Sequence, residues 1–227
     1  MKNIVYFLSA VVLIPTLLLG KDPAVFDTQW IPSQPEVLTY HSKSNQGDGL
    51  YQVSIMKRDT IIEAYINIIS PGFTKTVSGI MAFDMQPIQS TGKIFIGNQV
   101  MMDTKCFYES NTLRITTVMM PYNRVVTDTL TYAKPLIDFS EIPFLVRMVH
   151  IEKGAQYAFT SLNPQTNALI PLTLKVTGEG YAQKIDCYKV ELNDFEGKSI
   201  YWVEKSMRHR VMLVEQPESH RITELLQ

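Results

Sequence analysis

Hydrophobic and polar residues alternate along most of this chain from residue 49 to its end. Tyr51, Val53 and Ile55 are separated by polar residues, and the same alternation recurs at 62–68. A period of two is typical of a β-strand that buries one face. The Arg58-Asp59 pair between the two runs predicts a hairpin. Later alternating runs predict strands at 93–102, 104–109, 112–120, 124–132, 155–161, 168–177, 180–192, 198–205, 209–216 and 219–225.

One segment departs from this period. Residues 138–150 place apolar side chains at helical spacing, and Gly154 follows the segment. Ser140 is a residue type that caps helices, Glu141 suits a first turn, and Pro143 is tolerated there. We therefore predict a short amphipathic helix of about three turns. Its apolar face comprises Ile142, Leu145, Val146 and Val149.

Together these elements predict a mainly β protein, in which one curved antiparallel sheet, a half-barrel, wraps around one short helix. Glycine, proline and asparagine separate many of the runs, including a predicted turn at Gly178. Residues 49–227 would form a single β domain. Residues 21–48 are rich in Pro, Gln, Ser and Asn, which predicts a loose lead with one short extended piece near 37–40.

The first twenty residues predict a secretory signal peptide. Lys2 precedes the apolar run Ile4–Leu19, and the small residue Gly20 precedes Lys21. A cysteine, which a lipid anchor would need at this point, is missing at position 21. We therefore expect a periplasmic or secreted protein, cleaved near Gly20 and without a lipid anchor. No later apolar run approaches the length of a membrane span, so none is expected after cleavage.

Charge and motifs argue against several functions. The formal net charge is −1 at pH 7, and nucleic-acid binding needs a clustered basic face, so no nucleic-acid partner is expected. The chain has no Gly-x-Ser-x-Gly elbow, Walker loop, dinucleotide fingerprint or histidine metal spacing. We therefore expect no enzyme activity, no cofactor and no metal site. A dispersed pair of carboxylates is the least favoured alternative.

Methionine is the residue type that most suggests a ligand site. Adjacent methionines occur twice, at 101–102 and 119–120, in predicted strands whose successive side chains point to opposite faces. Methionine lines surfaces that accept varied apolar ligands, although ordinary core filling explains it as well. The sequence predicts an apolar groove between the helix and the sheet. Its predicted ligand-binding residues are Met101, Met102, Met119, Met120, Leu145, Met148 and Val149.

The chain contains two cysteines, Cys106 and Cys187. In an oxidising compartment they could form one disulfide. Alternatively, they are two separate buried thiols that behave as small hydrophobic residues. The sequence leaves both alternatives open.

The C-terminal half contains a series of short segments that together point to a known family. They are 154–157, 162–166, 171–172, 176–179, 187–191 and 200–205. With these segments the chain resembles an exported bacterial family of unknown function whose members are similar in fold to the lipoprotein carriers LolA and LolB. The resemblance implies a curved antiparallel sheet around a helical plug, with an apolar concavity that could hold an acyl chain. It implies no catalytic residues.

From the residues and the resemblance we expect a non-enzymatic envelope protein. It would bind an acyl chain, a lipid or a segment of a partner such as a lipoprotein in a concave groove. The alternative is a structural or interaction module whose interior is full. A cavity of roughly 300 Å³ or more would distinguish the first from the second.

Overall fold

The computed structural model describes residues 26–163, 166–194 and 197–226. The predicted signal peptide at 1–20 lies outside these residues. Fifteen strands and one α-helix follow one another along the described chain. They are β1 (Glu36–Lys43), β2 (Gly49–Arg58), β3 (Ile61–Ser70), β4 (Phe73–Ala82), β5 (Pro87–Ile96), β6 (Gln99–Glu109), β7 (Thr112–Met119), β8 (Arg124–Thr131), β9 (Leu136–Ile137), α1 (Ile142–Met148), β10 (Gln156–Asn163), β11 (Ala168–Ala182), β12 (Ile185–Asp194), β13 (Gly197–Glu204), β14 (Val211–Gln216) and β15 (Arg221–Leu225).

All fifteen strands form one open, curved sheet that does not close into a barrel. Strands β1 to β8 run outward as a meander to one edge, and β15 back to β10 form a second meander to the other edge. The two meanders meet where β1 pairs with β15, for example at Tyr40 and Leu225. Every pairing is antiparallel except that of the short β9 with β10. The predicted mainly β class, with a half-barrel around one helix, is confirmed.

The predicted alternation sets the inner and outer faces of the strands. In β3, Ile62, Ala64 and Ile66 are buried, while Tyr65 between them is exposed on the outer face. A strand with this pattern can bury only one side, so the concave side of the sheet becomes the core. The opposite edges come close to each other at one point, where the Asn167 side-chain amide donates a hydrogen bond to Asp128 of β8.

The N-terminal segment before residue 49 is more ordered than the sequence indicated. The short extended piece expected near 37–40 is the complete strand β1, which lies centrally between β2 and β15. Its Leu38 and Tyr40 are buried, and Ile31 ahead of it is buried as well. This part of the predicted loose lead therefore belongs to the sheet.

The predicted turn at Gly178 is wrong. Strand β11 continues through this residue to Ala182, and the register shift between Val176 and Gly178 marks a bulge. The actual turn is the two-residue loop Gln183-Lys184, in which both residues have positive φ angles of 51° and 67°. This conformation suits a tight hairpin, but it usually carries Asn or Gly, so the sequence signal was absent.

Helix α1 is shorter and more deeply buried than predicted. It begins at Ile142 and ends at Met148, and therefore makes about two turns rather than three. Six of its seven residues are buried, so it is not a surface helix with one polar face. The concave sheet surrounds it because the inner sides of both meanders supply the apolar surface that covers it. Within the described part of the chain, no helix is long and apolar enough to cross a membrane.

Candidate functional site

A cavity of about 390 Å³ lies inside the concave sheet beside α1. Its walls come from β1 to β5, from β12 to β15, and from α1 with the turn before it. Its volume lies within the range of small-molecule sites. Among its apolar lining residues are Val53, Ile66, Ile68, Val77, Ile94 and Val211.

The charged residues around this cavity are mostly cationic. Lys75, Arg147 and Arg221 line it, and Asp194 is the single carboxylate among the described lining residues. Neither Lys75 nor Arg221 has a salt-bridge partner within the described ranges. An apolar cavity with a few cationic groups suits a ligand that carries an apolar chain and a negative charge.

Arg147 on α1 is the most constrained of these cations. Its Nε donates a hydrogen bond to the carbonyl oxygen of His209 at 3.1 Å. Its Nη2 donates to Glu36 Oε2 at 2.7 Å and to the carbonyl oxygen of Arg208 at 2.9 Å. The guanidinium also lies over the Trp30 ring, 4.1 Å from the ring centroid. The side chain is only 1% exposed, because α1 is enclosed and Arg147 cannot reach solvent.

The Nη1 group of Arg147 is different from the rest of this side chain. A guanidinium has five N–H donors, and the three bonds above use the Nε hydrogen and both Nη2 hydrogens. Nη1 is buried and has no hydrogen-bond partner in the described part of the protein. A buried donor without a partner costs about 1–3 kcal/mol. Arg147 lines the cavity, and its two Nη1 hydrogens are the donors of this side chain that no described residue uses.

Tyr40 places a second polar group close to Arg147. It lies on β1, lines the cavity and is 3% exposed. Burial raises the pKa of its hydroxyl well above the usual value, and the nearby positive charge of Arg147 only partly offsets this. The hydroxyl therefore stays protonated and is a hydrogen-bond donor at neutral pH.

The turn before α1 positions the helix through two buried carboxyl groups. Asp138 Oδ1 accepts a hydrogen bond from the Ser140 backbone N–H at 2.8 Å. The Asp138 backbone N–H donates in turn to Glu141 Oε2 at 3.0 Å. These two bonds close the turn at 138–141, the capping turn, which leads into α1. The N-cap residue of α1 is Glu141 and has no side-chain cap bond, so the predicted capping by Ser140 is wrong.

The sheet provides further donors to the same carboxyl group. Ser90 Oγ donates to Asp138 Oδ2 at 2.9 Å, and the Tyr108 hydroxyl donates to the same oxygen. Burial raises the pKa of Asp138 although these bonds oppose the shift, and burial together with the Asp138 charge raises the pKa of Glu141 well above its usual value. Neither carboxyl group lines the cavity, so this pair serves to hold α1 against the sheet.

Two glycines allow the capping turn to approach the sheet. At Gly79 on β4, a Cβ atom would stand 2.1 Å from Ser140 Oγ. At Gly92 on β5, a Cβ atom would meet the Phe139 ring at 3.4 Å. Close approach at Gly79 thus requires a residue without a side chain, and this contact fixes where α1 lies relative to the cavity.

The seven ligand-binding residues predicted from the sequence do not line this cavity. Leu145, Met148 and Val149 are completely buried in the core. Met102 and Met119 are half-buried partners on β6 and β7, far along the meander from β1. Met101 is also half-buried.

The predicted strand position of Met120 is also wrong. It begins the 3₁₀ turn Met120–Tyr122 and is 52% exposed, so 119–120 is not a continuous strand with two apolar faces. The residues that sequence reasoning missed are Arg147 and Tyr40. A single arginine within the apolar segment of α1 was the available signal, but it was consistent with an ordinary solvent-facing position.

The two cysteines are separate free thiols, which corrects the disulfide alternative and agrees with the buried-thiol one. Cys106 lies on β6 and Cys187 on β12, in opposite meanders of the sheet. Burial raises the pKa of Cys106 to about 12 and also raises that of Cys187. Both therefore act as buried apolar side chains. No group of three or more metal-binding side chains occurs in the ranges that the structure covers.

A second depression of about 370 Å³ lies on the outer face of β2 to β5. Its wall includes Met56, Tyr65 and Ile80. Apart from Tyr65, Glu63 is the only ionisable side chain among its described lining residues. The inner cavity, with its enclosing helix and its cations, is therefore the candidate site.

Comparison with known proteins supports the fold but no activity. No known family model matches the chain, and no curated protein matches it either. A similar solved structure is a beta-barrel-like protein of domain of unknown function DUF1849 from Brucella abortus, with a TM-score of 0.58 and 8% identity. The match covers 87% of this chain and 98% of that one. At this identity the likeness shows a shared barrel-like fold alone.

Proposed function

We propose that this protein is a non-enzymatic binding protein of the cell envelope that holds one acyl chain in the cavity beside α1. The observation that carries the proposal is the cavity itself, about 390 Å³ in volume and largely lined by aliphatic and aromatic side chains. Such a space exceeds the roughly 300 Å³ expected of a small-molecule site. Its volume favours a single chain over a lipid with several chains.

The proposed location in the envelope is supported by the predicted signal peptide at 1–20. In the envelope, the acyl chain would come from a lipid or from a lipoprotein. The absence of an enzyme activity is part of the proposal. It is supported by the position of the buried Asp138 and Glu141 carboxyl groups, which hold the capping turn together and do not line the cavity.

The test is a titration of the protein without residues 1–20 with N-phenyl-1-naphthylamine, an uncharged probe that fluoresces in apolar surroundings. We expect saturable binding at one site and displacement by dodecan-1-ol. The Ile68→Trp variant should reduce the binding strongly, because Ile68 lines the cavity and a larger ring would fill it.

The matched control is Ile69→Trp, one residue further along β3. Ile69 is 46% exposed and does not line the cavity, so its substitution should leave probe binding unchanged. If the wild-type protein shows no saturable binding, or if both variants bind the probe equally well, the protein is better regarded as an interaction module with a filled interior.

A further inference from the structure

We propose that the ligand of this cavity is an anionic amphiphile whose carboxylate or phosphate head group is bound by Nη1 of Arg147. This inference rests on the acyl-chain binding proposed above and adds the chemistry of the head group. Its basis is a buried donor that has no partner among the described residues and belongs to an arginine lining an apolar cavity.

The residues that contact the rest of the Arg147 guanidinium leave only Nη1 for the head group of a ligand. Glu36 and the carbonyl oxygens of Arg208 and His209 take the Nε and Nη2 hydrogens, and Trp30 covers the guanidinium plane. The guanidinium is therefore held in one orientation before any ligand arrives. A donor fixed in this way loses little conformational freedom on binding.

The surrounding charges favour an anion over a neutral or cationic head group. Glu36 offsets the positive charge of Arg147 at a distance of 2.7 Å. However, Lys75 and Arg221 line the same cavity, and Asp194 is the single carboxylate among the described lining residues. Cations thus outnumber carboxylates even when Glu36 is counted, and the Tyr40 hydroxyl adds a neutral donor beside Arg147.

The geometry also selects the chemical class. Both hydrogens on Nη1 belong to one nitrogen, so they can serve one or two oxygens of a single head group. A carboxylate and a phosphate monoester both offer such oxygens, and hydrogen bonds to charged oxygens are the stronger ones. An alcohol offers one weaker acceptor, and a quaternary ammonium group offers none.

The experiment compares four single-chain ligands of equal length by calorimetry with the wild-type full chain at neutral pH. They are dodecanoate, dodecyl phosphate, dodecan-1-ol and dodecyltrimethylammonium. We expect at least one of the two anions to bind about ten-fold or more tightly than the alcohol, and the ammonium compound to bind more weakly than the alcohol. The ratio between the two anions identifies the head group.

Two substitutions with opposite expected effects test the role of Arg147. Arg147→Lys keeps the charge but has three donors instead of five. The ratio of the affinity for the anion to the affinity for dodecan-1-ol should therefore fall towards one, while the affinity for dodecan-1-ol itself stays unchanged. Glu36→Gln removes the offsetting charge and keeps an acceptor for Nη2, so it should strengthen anion binding by about three-fold or more. Arg221→Gln, at another cation of the cavity, is the comparison: it should lower the preference for the anion less than Arg147→Lys does, because only Arg147 is proposed to bind the head group.

The outcomes separate this inference from the proposed function. Equal binding of all four ligands by the wild-type protein leaves the acyl-chain site standing and overturns the head-group assignment. Loss of the anion preference in Arg221→Gln but not in Arg147→Lys also overturns it. If Arg147→Lys does not fold, as judged by near-ultraviolet circular dichroism, the wild-type series and Glu36→Gln decide the question without it.

Discussion

Replacing Gly79 by alanine should destabilise the protein by pushing the capping turn away from the sheet. The new Cβ atom would stand 2.1 Å from Ser140 Oγ and 2.8 Å from Ser140 Cβ, whereas non-bonded carbon atoms prefer about 3.5–4.0 Å. A rotation of the Ser140 side chain would relieve the contact with the oxygen but not the one with Cβ. The main chain must therefore move.

Two opposing contributions determine the magnitude. Overpacking of this kind costs about 1–3 kcal/mol, whereas removing a glycine from a strand stabilises by roughly 0.5–1 kcal/mol. We expect a net loss of about 1.5 kcal/mol for Gly79→Ala. With a denaturant slope of about 2 kcal/mol per M, the urea midpoint should fall by about 0.7 M.

The matched control is Gly178→Ala on β11, where a new Cβ atom has no other heavy atom within 4 Å. This variant should be neutral, or more stable by roughly 0.5–1 kcal/mol. Ser140→Gly removes both atoms that clash, so the double variant Gly79→Ala/Ser140→Gly should be more stable than the sum of the two single effects predicts. Equal midpoints for Gly79→Ala and Gly178→Ala, or strictly additive single effects, would refute the close contact between the turn and β4.

Two further predictions concern α1 and its capping turn. Leu145→Ala should lower the free energy of unfolding, measured in urea, by about 2–5 kcal/mol, because Leu145 is completely buried. The control Leu50→Ala should lower it clearly less, because Leu50 is 43% exposed. Glu141→Gln should match the wild-type stability below the ordinary pKa of 4.5 and exceed it at neutral pH, because burial and the Asp138 charge raise the pKa of Glu141 in the folded state. Stability that depends on the neutral form of Glu141 is thus lost as the pH rises, while glutamine stays neutral and still offers an oxygen to the Asp138 backbone N–H. A pH-independent difference in urea midpoint between the two proteins would contradict this.

The position of the helix shows how local and tertiary information differ. Helical spacing of apolar residues predicted a helix between 138 and 150, and it forms at 142–148. The same spacing could not show that the helix is enclosed on nearly every side, because that depends on surfaces contributed by both meanders. The turn before the helix also depended on context, since Asp138 accepts hydrogen bonds from donors on β5 and β6, thirty or more residues away in sequence.

The strands were predictable because period-two alternation is a local property that a one-sided sheet requires. The strand order was only partly encoded. The pairing of β1 with β15, which joins the two meanders, links residues at opposite ends of the described chain. No local pattern specifies such a contact, and for this reason β1 was interpreted as part of a loose lead.

The candidate site was decided almost entirely by the tertiary structure. The methionine pairs and the family resemblance predicted an apolar groove beside the helix. An apolar cavity is present, but its wall does not include the methionines at 101–102 or 119–120. Sequence spacing shows which residues share a face of one strand and not which strands lie opposite the helix. The head-group proposal rests on Arg147 because folding encloses this residue and leaves Nη1 without a partner in the described residues. That property arises only when distant backbone carbonyls and Glu36 occupy its other donors.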